Sequence, residues 1–343
     1  MNLAAILSTR SYLKDPFYHL VYEWEDDLGG QLSVPVLNSI PAFRKLLINK
    51  VTRKGLAFLG KNALAKASNA VERANIFRPS KGYYLVFEMG VTMAPNFSTS
   101  TKAIPAFIDL WKQTDLKAFQ HTYRHCPLVL VSSLEAVEYL KAQNCQLPIA
   151  HFPLSLSDRY QAKPGVVYDK KYDIVLAGRT NPVLLEYLQT FSEKYPDVEI
   201  VRQKEIDGEF CYASNLRGKI GLFQTREEYV QLLRAGKISF YSTPGIDGGE
   251  KRTGGFNPVT PRYLELLSAQ CLLLGKYPDN AETRFYELEK VCPNIDSYTQ
   301  FEELLLHYLK QQTVPLELYE NILQKHYTSC RATQIQELVS SLK

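Results

Sequence analysis

From residue 172 onward, short apolar runs alternate with amphipathic stretches, and this alternation restricts the chain more than any other feature. Residues 172–177 form an apolar run that stops at Gly178, as a strand buried on both faces would. Asn181-Pro182 then opens a stretch in which Leu184, Leu185, Leu188 and Phe191 recur at helical spacing. Residues 198–202 read as a strand, 227–235 as a helix, 237–241 as a strand, 260–269 as a helix and 271–275 as a buried strand. Such a succession implies right-handed β-α-β units in a doubly wound α/β sheet. The remainder, from about residue 297, reads as helical.

The first half repeats the alternation less cleanly. Residues 83–87 and 104–110 read as strands, the second interrupted by Pro105. Residues 116–125 read as a helix, 127–131 as a strand, 133–142 as a helix capped by Ser132 or Ser133, and 148–153 as a short strand. A chain of 343 residues exceeds the usual size of one domain. The polar segment 156–172, with Pro164-Gly165, is the expected linker between units at 1–155 and 173–343. Ligands of paired sheets of this kind bind at the carboxyl ends of the strands.

With 45% hydrophobic and 22% charged residues, the composition is that of a globular protein. The six cysteines include no C-x-x-C pair and no zinc spacing, which fits reduced thiols in the cytoplasm. The apolar run at the N-terminus is too short for a signal peptide, and no stretch approaches the roughly 20 apolar residues of a membrane span. Residues 41–78 carry nine basic side chains against one acid, Glu72, interleaved with apolar residues such as Phe43, Leu47, Leu56 and Phe58. This pattern suits an anionic membrane surface or a solvated helix face. Nucleic acid is not expected, because no aromatic stacking platform accompanies the charges.

Chemistry concentrates in residues 244–275. Gly248, Gly249, Gly254 and Gly255 surround Lys251-Arg252, and Thr260-Pro261 supplies an N-cap and a first-turn proline for the next helix. Free amides, a partial positive charge and basic side chains together make a phosphate site. Glu265 follows just over one turn later, where a carboxylate can accept hydrogen bonds from the two hydroxyls of a ribose. The stretch lacks G-K-[ST] and is no Walker loop, and no G-x-G-x-x-G follows a first strand.

The segment Thr260-Pro261-Arg262-Tyr263-Leu264-Glu265, with the apolar strand after it, resembles the nucleotide-sugar signature of GT-B glycosyltransferases, in particular their group-1 and spore-protein-like branch. Ala177-Gly178-Arg179 is similar to that family's glycine-arginine loop, and residues 129–133 and 149–154 resemble the end of its N-terminal domain. The resemblance covers roughly residues 100–343. It implies an α/β architecture of two Rossmann-like domains facing across a cleft, the first on the acceptor side. It also implies a nucleotide-diphosphate sugar as substrate, with Gly178, Arg179, Lys251, Arg252, Thr260, Pro261, Arg262 and Glu265 around it. Asn257 stands where many retaining members have a first glutamate, and Lys251 or Arg252 is expected to take over the charge of the family's loop lysine.

An inverting enzyme needs a general base in the first half, and Glu88 and Asp109 end expected strands near the cleft. His121 and His125 read as packing or surface residues, and Asp26-Asp27 as a solvated acidic turn. The chain has no D-x-D metal motif, so neither metal nor cofactor is expected. The expected acceptor is a glycan or lipid-linked hydroxyl, as in bacterial surface polysaccharide or glycolipid assembly, and the expected location is the cytoplasm or the inner face of the membrane. Alternatives are an epimerase or phosphorylase of the same fold, or a non-catalytic, membrane-associated sugar-binding protein.

Overall fold

The computed structural model describes residues 2–11, 13–14, 18–38, 81–93, 95, 97, 99–161, 165–206, 208–223 and 225–342. The basic segment 41–78 lies outside them. Among the described residues no helix is long and apolar enough to cross a membrane.

The first half comprises β1 (Leu3–Ser8), α1 (His19–Leu32), β2 (Val36–Asn38), β3 (Tyr83–Gly90), β4 (Ala103–Asp109), α2 (Leu116–Tyr123), β5 (Val129–Val131), α3 (Leu134–Ala142) and β6 (Ile149–His151). Its six strands lie in the order β2-β1-β3-β4-β5-β6, every neighbouring pair parallel. Pro105 is tolerated inside β4 because pairing with β5 begins only at Ala106, so no β5 ladder bond needs the missing N–H.

The second half comprises β7 (Tyr172–Leu176), α4 (Pro182–Lys194), β8 (Ile200–Ile206), β9 (Glu209–Ser214), β10 (Gly218–Gly221), α5 (Arg226–Ala235), β11 (Gly236–Ser242), α6 (Pro261–Ser268), β12 (Leu272–Lys276) and four further helices. These are α7 (Ala281–Phe285), α8 (Tyr298–Lys310), α9 (Leu316–Leu323) and α10 (Thr328–Ser341). The strand order is β10-β9-β8-β7-β11-β12, parallel from β8 to β12, with β9 and β10 added antiparallel at one edge.

Both sheets are covered on two faces, which is why their strands read as unbroken apolar runs. Along β7, Ile174 and Leu176 pack with Phe191 and Phe301, whereas Val175 packs with Leu233 and Leu264 on the opposite side. One face of the first sheet packs on α2 and α3 through Phe107, Phe119, Val137 and Leu140. The other face packs on α1 and, from the far end of the chain, on α10.

The last helix departs from the expected division. Residues 173–343 read as one unit, but Ala332, Ile335 and Val339 of α10 are buried with Ile6, Trp24 and Leu85 of the first half. Among the described residues, the apolar side of α10 packs in the first half's cluster and not in those of the second sheet. The chain therefore crosses between halves twice, and the crossings run side by side. Leu156 donates to the His326 carbonyl at 2.9 Å and accepts from the Thr328 N–H at 2.9 Å. The expected linker is anchored too, with Tyr160 buried and its hydroxyl bonded to Glu23 of α1.

Carboxylates also tie the halves together. Glu282 of α7 accepts from the Leu134 and Glu135 amides and the Ser133 hydroxyl at the start of α3, and from the Val259 amide of its own half. Glu135 returns the contact, accepting from the Asn257 amide at 2.6 Å. Next to Asn257, Phe256 inserts into the first half's core, its ring 5.3 Å from that of Tyr139.

If α10 completes the first core, Ile335→Ala should cost about 2–5 kcal/mol, as for other fully buried aliphatic residues. Denaturant unfolding followed through Trp24, buried in the same cluster, measures this. A loss near zero would mean that the helix does not complete that core.

Candidate active site

A cleft of about 890 Å³ lies between the halves, lined from both. The second sheet meets it where its strand order reverses, between β7 and β11, and the first half meets it with α1, which follows β1, and with the ends of β3, β4 and β5. Loops leaving such a switch point diverge, and the crevice between them is where open α/β sheets hold ligands.

Two loops build the second-half wall. The loop after β7 turns at Gly178, whose φ of +72° lies in the left-handed region. A Cβ there would come within 2.1 Å of the Arg262 guanidinium, so glycine alone lets Arg262 lie over the turn. Arg262 donates to the Arg179 carbonyl at 2.6 Å, fixing both residues beside the start of α6. Thr260 occupies the N-cap position with Pro261 behind it, yet its side chain makes no capping bond. The expected cap is corrected in this respect: it is the Thr260 backbone that is held, its N–H donating to the Tyr241 hydroxyl at 2.9 Å. The long loop after β11 brings Arg252 to the same wall, its guanidinium 5.7 Å from the centre of the Trp111 ring and 3.8 Å from Asp109. Glu250, on that loop, pairs with both Arg179 and Arg252.

Glu265, one turn into α6, is 6% exposed and faces the cleft. Its two oxygens accept from Arg226 at 2.7 Å and from the Tyr229 hydroxyl at 3.4 Å, both from α5. Arg226 also reaches Glu23 of α1 at 3.4 Å. Burial works against the charge of Arg226, but Glu265 and Glu23 outweigh it and hold the guanidinium above its ordinary range. A carboxylate oriented by one cation and one hydroxyl keeps acceptor capacity for two further donors.

The first-half wall is largely apolar. Leu20, Val21 and Trp24 of α1, Met89 at the end of β3, Ile108 at the end of β4 and Trp111 beyond it line the cleft, so both tryptophans of the chain meet there. Trp24 is fixed by its indole N–H, which donates to the Ser155 carbonyl at 2.9 Å. Among the described residues, the titratable member of this wall is Asp109. Burial pushes its carboxyl up to about 6, against the opposing pull of Arg252 and Arg179.

The expected residues thus separate. Arg179, Arg252, Thr260, Pro261, Arg262, Glu265 and Asp109 line one cleft, with Gly178 beneath Arg262. Lys251 does not: its side chain is exposed and its carbonyl accepts from Gln113. Glu88 is buried in β3 near Tyr123 and is not among the lining residues, because alternation along the strand turns its neighbour Met89 to the cleft instead. Asn257 is held inside its loop, accepting from Thr243 at 2.8 Å and donating to the Gly255 carbonyl at 2.9 Å. Asp26 and Asp27 lie on α1, not on a turn, and pair with Arg10 and Arg159, each at 2.8 Å.

No family model matches the sequence, and no curated protein matches it. Solved structures do. A sucrose-phosphate synthase from Thermosynechococcus elongatus is similar over 100% of this chain and 99% of its own, at 9% identity and a TM-score of 0.52. AviGT4, a glycosyltransferase involved in avilamycin A biosynthesis, is similar over 100% of this chain and 98% of its own, at 11% identity and a TM-score of 0.50. The GtfA/B complex is matched over 81% of this chain and 60% of that one, at 12% identity and a TM-score of 0.48. With two mainly parallel sheets opposed across one cleft, and end-to-end correspondence to the first two of these proteins, this chain has the GT-B glycosyltransferase fold.

Proposed function

We propose that this chain transfers a glycosyl group from a nucleotide-diphosphate sugar to an acceptor hydroxyl in the cleft. The observation that carries the proposal is the convergence of Arg179, Arg252 and Arg262 beside the start of α6, with Glu265 one turn on. In the reaction the bond from the anomeric carbon to the leaving phosphate oxygen breaks as the acceptor oxygen bonds to that carbon. Negative charge grows on the diphosphate, where guanidinium groups and a helix N-terminus are most effective. Glu265 would hold the ribose, kept in place by Arg226.

The acceptor would lie along the apolar wall, with Asp109 taking its proton. A glycan or lipid-linked acceptor suits a wall of tryptophan and aliphatic side chains, as in surface polysaccharide or glycolipid assembly. A lipid-linked acceptor would be met at an anionic surface held by residues 41–78.

Three outcomes are expected. Glu265→Ala should weaken binding of the donor nucleotide by roughly 10- to 100-fold, the value of charge-assisted hydrogen bonds to a diol. Calorimetric titration of the folded variant reads this, and unchanged affinity would exclude Glu265 from the ribose. With Asp109 as base, kcat/KM should fall as pH drops through about 6, because the protonated carboxyl cannot accept a proton; a flat profile from pH 5 to 7 would remove Asp109 from that role. Finally, the arginines are proposed to do the work of a metal on the leaving group, so turnover should persist in excess chelator. Loss of activity restored by manganese or magnesium would refute metal independence.

A further inference from the structure

Glu250 is an anion in the middle of a cationic wall. Its backbone N–H is tied to the Pro244 carbonyl at 2.7 Å, so the loop delivers the residue to the cleft. The two carboxylate oxygens are divided, one to Arg179 and one to Arg252. The arginine side chains are 67% and 53% exposed, and that of Glu250 is 20% exposed. Arg262 is different, since its guanidinium is engaged by a backbone carbonyl. Two exposed cations are therefore held together by one carboxylate, with Asp109 at 3.8 Å from Arg252.

An incoming diphosphate competes for the same donors. It brings more charge and more oxygens than a carboxylate and would bond the guanidinium forks more strongly. Glu250 could not remain, because its charge would then face the phosphates at close range.

We propose that Glu250 is a displaceable counter-anion. It keeps Arg179 and Arg252 paired and in place while the cleft is empty, gives way to the diphosphate of the donor, and recaptures the arginines as the product diphosphate leaves. The proposal rests on the assignment of these arginines to the diphosphate. The apparent dissociation constant is the intrinsic one divided by the fraction of molecules with the seat open. A carboxylate that occupies the seat most of the time thus loosens donor and product together and limits product inhibition.

The test uses the full-length protein, as wild type, Glu250→Gln, Arg179→Gln and the double variant. Each is titrated by calorimetry with inorganic pyrophosphate and with UDP, GDP, ADP and CDP, and its thermal midpoint is checked. Glu250→Gln should bind pyrophosphate and the preferred nucleoside diphosphate about tenfold more tightly, as expected if about one wild-type molecule in ten has the seat open. Arg179→Gln should bind both more weakly, and adding Glu250→Gln to it should recover much less than tenfold. In turnover, KM for the donor and the inhibition constant of the product should fall together in Glu250→Gln while kcat does not rise. Equal or weaker anion binding by a folded Glu250→Gln protein would overturn the proposal. If wild type binds a nucleoside diphosphate and Glu250→Gln binds it no better, the counter-anion fails and the proposed function stands. If Glu250→Gln gains pyrophosphate but no nucleoside diphosphate binds better than pyrophosphate, the counter-anion stands and the nucleotide assignment fails. Absence of binding of every anion to both proteins would overturn both.

Discussion

The carboxylate of Glu282 joins the two halves where α3 begins. It accepts three donors from the first half and one from the second, two of the bonds buried and two part-buried. A helix N-terminus has amides without intrahelical partners, and an anion there gains from both the hydrogen bonds and the helix dipole. Burial opposes that charge, pushing the Glu282 carboxyl up to about 7. Around this link the loop after β11 is fixed by Asn257 to Glu135 and by Phe256 in the opposite core. That loop carries Glu250 and Arg252, so the position of the cleft's charges depends on contacts made outside the cleft.

The two walls divide the chemistry. One supplies guanidinium groups, a helix start and a carboxylate, and the other supplies tryptophan and aliphatic surface with one carboxyl, Asp109. Arg226 connects them, set between Glu23 of the first half and Glu265 of the second. Removing either acid would leave a mostly buried cation short of a partner, a costly arrangement in a low-dielectric setting. The orientation of the Glu265 carboxylate is thereby coupled to how the halves are seated.

Much of the second half was legible because its signals agree with one another. At α4, Asn181 caps in the structure, with Pro182 behind it, as the sequence suggests, and the strands on either side are buried on both faces. Beyond Arg202 the signal fails. Gln203, Lys204 and Glu205 continue β8 into an antiparallel edge with one wet face, where no apolar run marks a strand. The first 38 residues were opaque for another reason. Helix α1 buries Glu23 and Glu25 beside Trp24, so its inner face carries acids and its periodicity is masked. Those acids become intelligible only with their partners, Arg10, Tyr160 and Arg226, which are remote in sequence or look like surface residues. The same holds within the site. Glycines beside arginines pointed to the cationic wall, whereas nothing near Trp24 or Trp111 in sequence marks them as facing the cleft.

The return of α10 to the first half has a consequence for synthesis. Domains of a nascent chain generally fold as units, the N-terminal one first, as residues leave the ribosome at roughly 5–20 per second. Here the face of the first sheet around Ile6 and Leu85 is covered only by α1, with Trp24, until the helix ending at Ser341 has been made. Among the described residues, the second sheet finds its helices within the span from α4 to α9 and can close earlier. The half translated first is the half completed last, and the part of its apolar face left open beside α1 is the one a chaperone would meet.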